Sequence, residues 1–332
     1  MLSRVADALF WTSRYLERAD HVARAVDVTF QLELDLQGAL GSPPDFEWNE
    51  LLSLLRLPPP SADASADAKG DTPAGTPHER GPASTADVQR WLLLDTANPG
   101  SVTACVSRSR NNARSVRGSI SPAMWRELNK LYWTLSDAAL PALVAESPHD
   151  FCEETRIGVL LFHGACEATL THDEGWHFIR LGRYLERAVF VLRVLDAKIG
   201  LLEKPEAGDL SINSLRWGAV LRNCDAFEAY QRLFISRVEP DRIVEFLLSN
   251  PEFPHSVRFC LTRVLNSLGE ISGRLPDRCD DEVVRTVGRL LSDLVYLDGT
   301  AVQGGRLSSF LRDALLRCTR IGSLLQQQYA MQ

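Results

Sequence analysis

The hexapeptide Arg-Tyr-Leu-Glu-Arg-Ala occurs twice in this chain, at residues 14–19 and 183–188, so the two copies lie 169 positions apart. At the same offset Trp48 corresponds to Trp217, and the match therefore extends beyond six letters. Self-similarity of this kind indicates an internal duplication. We expect two tandem, diverged repeats, and this constrains the architecture before any single side chain is interpreted.

Apolar residues around the first hexapeptide recur every three or four positions, which predicts one long helix over residues 2 to about 36. The same stripe surrounds the second hexapeptide, from Phe178 to Leu202. The other segments with a helical period lie at about 45–57, 100–118, 122–140, 150–170, 209–234, 240–249, 256–272, 280–298 and 306–329. No segment alternates convincingly with period two. The sequence predicts an all-α helical bundle.

A second pair of matching segments has the pattern Pro-x-Ser-Val, with a Cys three residues later. Its serines are Ser101 and Ser256, which lie 155 positions apart. In both segments the Pro ends any preceding helix, and the Ser side chain can cap the free backbone N–H groups of a new helix. We therefore predict that a helix begins at each serine, and that the Cys that follows is buried and inert.

The shorter offset means that the first half is 14 residues longer between its two matching blocks. The extra residues fall within 58–86, which is rich in Pro, Ala, Ser, Asp and Gly. Such a segment cannot bury enough apolar surface to offset its ordering entropy, so we expect a mobile surface loop. We divide the chain into a first half, 1–147, and a second half, 148–332, packed together as one unit.

Composition excludes several classes of protein. The 43 acidic residues outnumber the 36 basic ones and give a net charge of −7, which argues against extended nucleic-acid binding. No apolar run approaches the ~20 residues that span a bilayer, and the first residues lack the features of a signal peptide. We expect a cytoplasmic protein that does not bind a membrane. The seven cysteines form no Cys-x-x-Cys pair, which fits neither a disulfide framework nor a zinc knuckle.

The charged residues of each hexapeptide share one face of its helix, beside the apolar stripe. They are Arg14, Glu17 and Arg18 in the first copy and Arg183, Glu186 and Arg187 in the second. A carboxylate between two guanidinium groups is held ionised and leaves Arg donors for another anion. The alternative is a solvated face of ion pairs worth ~0.2–0.5 kcal/mol each. The duplication favours a site, since a solvated face has little reason to keep these residues twice.

A third basic group follows Ser101. Arg110 and Arg114 share a helix face there and could neutralise a phosphate or carboxylate, or pair with Glu17 or Glu186 across the bundle. An exposed, Arg-rich helix surface is the equally open alternative.

Motifs for metal binding and catalysis are weak in this sequence. His163 and Glu167 lie four apart, as do Asp173 and His177, yet no His-Glu-x-x-His or paired Glu-x-x-His signature is present. We expect no metal site and no cofactor. A phosphate-binding Gly-rich loop, a Gly-x-Ser-x-Gly elbow and an adjacent Cys–His pair are also missing, so no reaction follows from the residues.

Several motifs in order along the chain resemble the bacterial alpha-E family, which is named for a helical domain with a Glu-Arg motif. They are the opening Met-Leu-Ser-Arg-Val-Ala, both hexapeptides, the segment 92–102, the group from Arg110 to Arg114, and the segment 173–178. The resemblance points to Glu17, Arg18, Glu186 and Arg187 as the positions in the family name.

The resemblance also implies a functional setting. Alpha-E proteins are typically encoded beside, or fused to, a circularly permuted ATP-grasp amide ligase, and often near a transglutaminase-like cysteine peptidase. We therefore expect a non-catalytic helical subunit that works with such a ligase on a peptide or amide conjugate and binds a carboxylate or phosphate. One alternative is an enzyme that uses Glu17 and Glu186 as acid and base across a cleft. Another is a purely structural scaffold, in which Glu-Arg pairs hold the two halves together.

Overall fold

The computed structural model describes residues 1–40, 46–58, 84–199, 210–234, 238–273, 281–297 and 306–329. Within those ranges the chain forms fourteen α-helices and no β-strand, so the all-α prediction is confirmed. Most of the predicted loop at 58–86 and Cys279 lie outside the described residues. None of the helices in these ranges combines the length and hydropathy that crossing a membrane requires.

In chain order the helices are α1 (Ser3–Leu40), α2 (Phe46–Leu55), α3 (Thr85–Leu93), α4 (Val102–Ser115), α5 (Pro122–Thr134), α6 (Leu140–Glu146), α7 (Pro148–Thr169), α8 (Glu174–Lys198), α9 (Leu210–Asn223), α10 (Phe227–Leu233), α11 (Pro240–Ser249), α12 (Val257–Ser272), α13 (Glu282–Val295) and α14 (Arg306–Gln328).

The two long helices that carry the hexapeptides form the centre of the bundle. Helix α1 packs along α8, and α4, α7 and α9 pack around α1, whereas α12 and α14 pack against α8. One continuous apolar core contains residues from Ala6 to Leu325. The charged faces of the two hexapeptides are therefore turned towards the interior.

The predicted helix starts are confirmed. The Ser101 side chain accepts a hydrogen bond from the backbone N–H of Ala104, and Ser256 accepts one from Phe259. The cysteines that follow, Cys105 and Cys260, are fully buried. Burial raises the pKa of each thiol to about 12, so both are inert.

One predicted helix is interrupted. The segment predicted as helical at 209–234 divides into α9 and α10, because Asp225 adopts a left-handed backbone with φ 49°. Asp tolerates this conformation better than most residues, but helical periodicity does not reveal it. The Asp225 carboxylate contacts Arg24 of α1 at 2.9 Å and Arg156 of α7 at 3.0 Å, so tertiary ion pairs accompany the break.

Two short helices were missing from the sequence prediction. Helix α5 ends at Thr134 and not near residue 140, and α6 follows it. Helix α3 begins directly after Ser84, where Ser84 and Asp87 form a reciprocal capping box. Placing the predicted loop boundary at residue 86 was therefore wrong. The sequence does contain a local signal for this helix, a Ser followed three residues later by an acidic residue. The prediction missed it because the Pro- and Gly-rich composition of the preceding residues favoured a loop.

Helices α1 and α8 approach closely at Gly182. A Cβ atom built on Gly182 would lie 2.2 Å from the carbonyl oxygen of Phe10 in α1, far inside van der Waals contact. The obstacle is backbone, so a side-chain rotation cannot relieve it. Glycine is required here because the main chains themselves are in contact.

We expect Gly182→Ala to lower the free energy of unfolding by roughly 1–3 kcal/mol, because α1 and α8 must separate to admit the methyl group. Gly164→Ala is the matched control, since Gly164 lies within α7 and nothing is within 4 Å of its added Cβ. It should be neutral, or stabilising by up to about 1 kcal/mol through helix propensity. Urea denaturation measures both, and equal stability of the two variants would contradict the close approach.

Candidate functional site

Each hexapeptide glutamate is bound by the arginines of the other hexapeptide. The Nε atoms of Arg14 and Arg18 donate to the carboxylate of Glu186 at 2.8 and 2.7 Å. A second nitrogen of Arg14, Nη2, lies 2.6 Å from the same carboxylate. Arg14 thus engages Oε2 with two nitrogens while Arg18 binds Oε1, so both oxygens of the Glu186 carboxylate have a charged donor.

Glu17 has the reciprocal arrangement. Arg187 Nε donates to Glu17 Oε1 at 2.5 Å, and Arg183 Nε lies 3.6 Å from Glu17 Oε2. The ion pairs therefore cross between α1 and α8 and do not form within one helix. We call these six residues the crossed cluster: Arg14, Glu17, Arg18, Arg183, Glu186 and Arg187.

Both glutamates are buried, with 1% of Glu17 and 4% of Glu186 exposed. The alternative of a solvated face is therefore wrong. Burial alone would raise the pKa of each carboxyl, but the opposing guanidinium charges outweigh it. Arg187, with His163 and His21 close by, holds the pKa of Glu17 well below its usual range. Arg18 and Arg14 do the same for Glu186.

This geometry does not suit the acid and base roles suggested for Glu17 and Glu186. A general acid must carry a proton near neutral pH, and both carboxyls are held ionised by their arginines. The guanidinium groups that the sequence offered to an external anion are also largely occupied. The crossed cluster is thus first an internal structure that joins α1 to α8.

Breaking one arm of the cluster should be far more damaging than breaking a surface pair. We expect Glu186→Gln to lower the free energy of unfolding by roughly 3 kcal/mol, because Arg14 and Arg18 lose a buried partner. The control, Asp313→Asn, removes an ion pair with Arg317 at the surface, where the Asp313 side chain is 51% exposed. It should change the free energy of unfolding by less than about 0.5 kcal/mol. Chemical denaturation measures both.

Double-mutant cycles test directly whether the ion pairs cross between the two helices, because they measure the coupling energy of each pair. Arg18→Met should show a large coupling energy with Glu186→Gln and a much smaller one with Glu17→Gln, although Glu17 is its neighbour in sequence. Stronger coupling to Glu17 would mean that the pairs form within one helix.

The crossed cluster has one end at Glu17 and the other at Glu186, and the surroundings of the two ends differ. His21 and Phe190, which occupy corresponding positions 169 residues apart, stack face to face with ring centroids 4.1 Å apart. His21 Nε2 lies 3.4 Å from Glu17 Oε1, and His163 Nε2 lies 3.6 Å from Glu17 Oε2. Glu17 therefore has imidazole neighbours in addition to its arginines.

A pocket of about 380 Å³ opens beside Glu17. We call it the Glu17 pocket. Helices α1, α7, α8 and the turns before α10 and α12 supply its lining residues, which are Glu17, Asp20, Arg24, Val159, Leu160, His163, Arg183, Arg187, Asp225, Phe253, Pro254 and His255. Glu186 is not among them, so the two glutamates do not converge on this pocket.

A second ion-pair group forms part of the pocket wall. Arg24 Nη2 contacts Asp20 at 2.5 Å and Asp225 at 2.9 Å. Asp225 and His255 come from irregular segments far away in sequence, and neither was predicted as a site residue. Only the Pro-x-Ser motif, whose middle residue is His255, gave any signal, and it indicated a helix start.

The remaining predicted site residues lie elsewhere. Arg110 Nε donates to Asn129 Oδ1 at 2.6 Å, and its guanidinium carbon lies 4.3 Å from the centroid of the Tyr132 ring. Arg110 therefore does not pair with Glu17 or Glu186. Arg114 is exposed and forms no ion pair within the described ranges. Among the same residues, no three His, Cys, Asp or Glu side chains are grouped closely enough to hold a metal ion.

The buried imidazole of His163 should make stability depend on pH. Burial, with the nearby Arg183 charge, lowers its pKa from 6.5 to about 4. Between these values the unfolded chain binds more protons, so the free energy of unfolding falls as the pH falls from 6.5 towards 4. His163→Gln should make this slope shallower, as measured by denaturation over that range. An unchanged slope, equal to that of the control His172→Gln at an exposed site, would contradict the assignment.

The comparisons with known proteins agree with this architecture. A family model described as "a predicted alpha-helical domain with a conserved ER motif" matches residues 1–330. The chain belongs to the Alpha-E family. The Glu-Arg steps 17–18 and 186–187 of this member both lie within the crossed cluster.

The similar curated proteins are all longer. An uncharacterised protein of Mycobacterium bovis is 26% identical over 290 residues, which cover 84% of this chain but 31% of that protein. An uncharacterised protein of Mycobacterium tuberculosis is 25% identical over 290 residues, which again cover 84% of this chain and 31% of that protein. This Alpha-E chain therefore spans about a third of the length of the curated relatives it matches. No solved structure matches.

Proposed function

We propose that this Alpha-E protein is a non-catalytic helical subunit that works with an ATP-grasp amide ligase, and with a transglutaminase-like peptidase, on a peptide or amide conjugate. In this proposal the halves 1–147 and 148–332 are diverged repeats that share the crossed cluster. The cluster fixes the two halves against each other, and the partner and ligand bind elsewhere on the resulting bundle.

The observation that carries the proposal is the crossed pairing of Glu17 and Glu186. Two carboxylates held ionised by four arginines stabilise a structure but are poor proton donors. The motif that names the family therefore fits assembly of the bundle better than a chemical step. An accessory role follows, because the conspicuous charged residues of the sequence are used internally.

The relatives give a second line of support. In the curated mycobacterial proteins the matching segment is 31% of the chain, so more than two thirds of each protein lies outside it. A helical unit that occurs joined to a much longer polypeptide is suited to work beside another domain. We propose that the present chain makes the corresponding contact with the ligase.

Co-expression with the ATP-grasp protein encoded in the same genome tests this proposal. We expect one co-eluting complex in size-exclusion chromatography and a change in ligase turnover when the helical chain is added. Two proteins that elute separately, with unchanged turnover, would contradict it.

A cluster variant separates assembly from binding. A triple variant replaces Glu186 and both of its arginines by apolar side chains, as Arg14→Met, Arg18→Met and Glu186→Leu. Replacing a whole buried ion-pair network in this way is often neutral or stabilising. We expect this triple variant to fold and to keep the ligase contact. Loss of the ligase contact in a folded triple variant would show instead that the cluster itself binds the partner.

A further inference from the structure

The Glu17 pocket holds an unusual concentration of buried polar atoms without hydrogen-bond partners in the described structure. They are Glu17 Oε2, His163 Nε2, Arg183 Nε, Arg24 Nε and His255 Nδ1. Almost all buried polar atoms of native proteins have a partner, so a cluster of exceptions on one cavity wall indicates a place where a polar molecule binds. Glu17 and His163 are more than nine-tenths buried, which makes their unpaired atoms particularly informative.

The charges of the pocket indicate what kind of molecule fits. Its lining contains three arginines and three carboxylates, and burial lowers the pKa values of His163 and His255, so that both are neutral near pH 7. A net anion would meet Glu17, Asp20 and Asp225 as well as the arginines. The balanced lining instead complements a ligand that is neutral overall but carries both charges.

The pocket offers groups of both signs to a ligand. On one wall Arg183 has an unpaired Nε and sits beyond hydrogen-bond distance, 3.6 Å, from Glu17. The carboxylate of Asp225 pairs with Arg24 and Arg156 but is 42% exposed, so it can accept a further hydrogen bond, and Asp20 belongs to the same lining. A carboxylate suits the first position and an ammonium group the second.

The pocket has apolar surface as well. Val159, Leu160, Phe253 and Pro254 contribute to its lining and offer contacts for a short hydrocarbon side chain. A volume of about 380 Å³ lies at the small end of ligand pockets and is sufficient for a single amino acid.

We propose that the Glu17 pocket binds a free α-amino acid, with its carboxylate at Arg183 and its ammonium group at Asp225 and Asp20. This goes beyond the proposed accessory role and does not depend on it, because the site belongs to the isolated chain. The crossed cluster positions Arg183 for this contact, so the bundle centre and the binding site share one residue. The corresponding end, at Glu186, lacks His21 and His163 as neighbours, so we assign one site to the chain.

Thermal-shift and calorimetric titrations of the full chain with the standard α-amino acids test the proposal. We expect at least one of them to raise the melting temperature and to bind with a measurable Kd. Its N-acetyl derivative and its carboxamide, which each lack one charge, should bind at least roughly tenfold more weakly. Equal responses to acetate or phosphate would overturn the proposal in favour of a simple anion site.

Variants locate the binding. Arg183→Met should weaken binding by roughly tenfold or more, whereas Arg180→Met, one turn earlier on α8 and outside the pocket lining, should leave it unchanged. Asp225→Asn should also weaken it, and Asn keeps the left-handed backbone at that position. Because Arg183 belongs to the crossed cluster, the Asp225 variant provides the test that does not disturb the cluster.

Two further outcomes would overturn the proposal. One is a folded wild-type chain that binds none of the amino acids at millimolar concentration. The other is undiminished binding in both the Arg183 and the Asp225 variants. Neither result bears on the ligase contact, which is measured by co-elution, so the two proposals fail separately.

Discussion

The structure depends on the need of two buried carboxylates for opposite charge. Removing a carboxylate from water is costly by several kcal/mol unless guanidinium donors replace the lost hydration. Neither α1 nor α8 meets this need within itself, because Arg14 and Arg18 bind Glu186 and the arginines of α8 bind Glu17. Each long helix therefore requires the other, in one register, before its own glutamate can be buried.

That constraint accounts for features around it. A fixed register allows the main chains to touch at Gly182, where no larger residue fits. It also brings His21 against Phe190, two residues at corresponding positions whose difference makes the ends of the cluster unequal. The Glu17 pocket opens at the end that has the imidazoles. The difference between His21 and Phe190, in two segments of similar sequence, thus accompanies a chemically distinct site next to an almost symmetric ion-pair network.

The proposed accessory role and the proposed amino-acid site both place function beside the crossed cluster. A rigid bundle centre is useful for binding because it holds Arg183 in place at little entropic cost on ligand binding. In this view the Glu-Arg steps of the two hexapeptides act through structure, and the chemistry of the pocket comes from Asp225, His163 and His255. A ligase partner would then meet a preformed surface whose interior holds a small zwitterion.

The sequence by itself determined the all-helical fold, the helix starts at Ser101 and Ser256 and the importance of the two hexapeptides, because periodicity, capping and repetition are local signals. It also showed which charged residues share a helix face. Only the tertiary structure decided which helix that face meets, and hence that the pairs cross. It alone placed Asp225 and His255 beside Glu17, because ion pairs and cavities join residues far apart in the chain, and no spacing rule connects them.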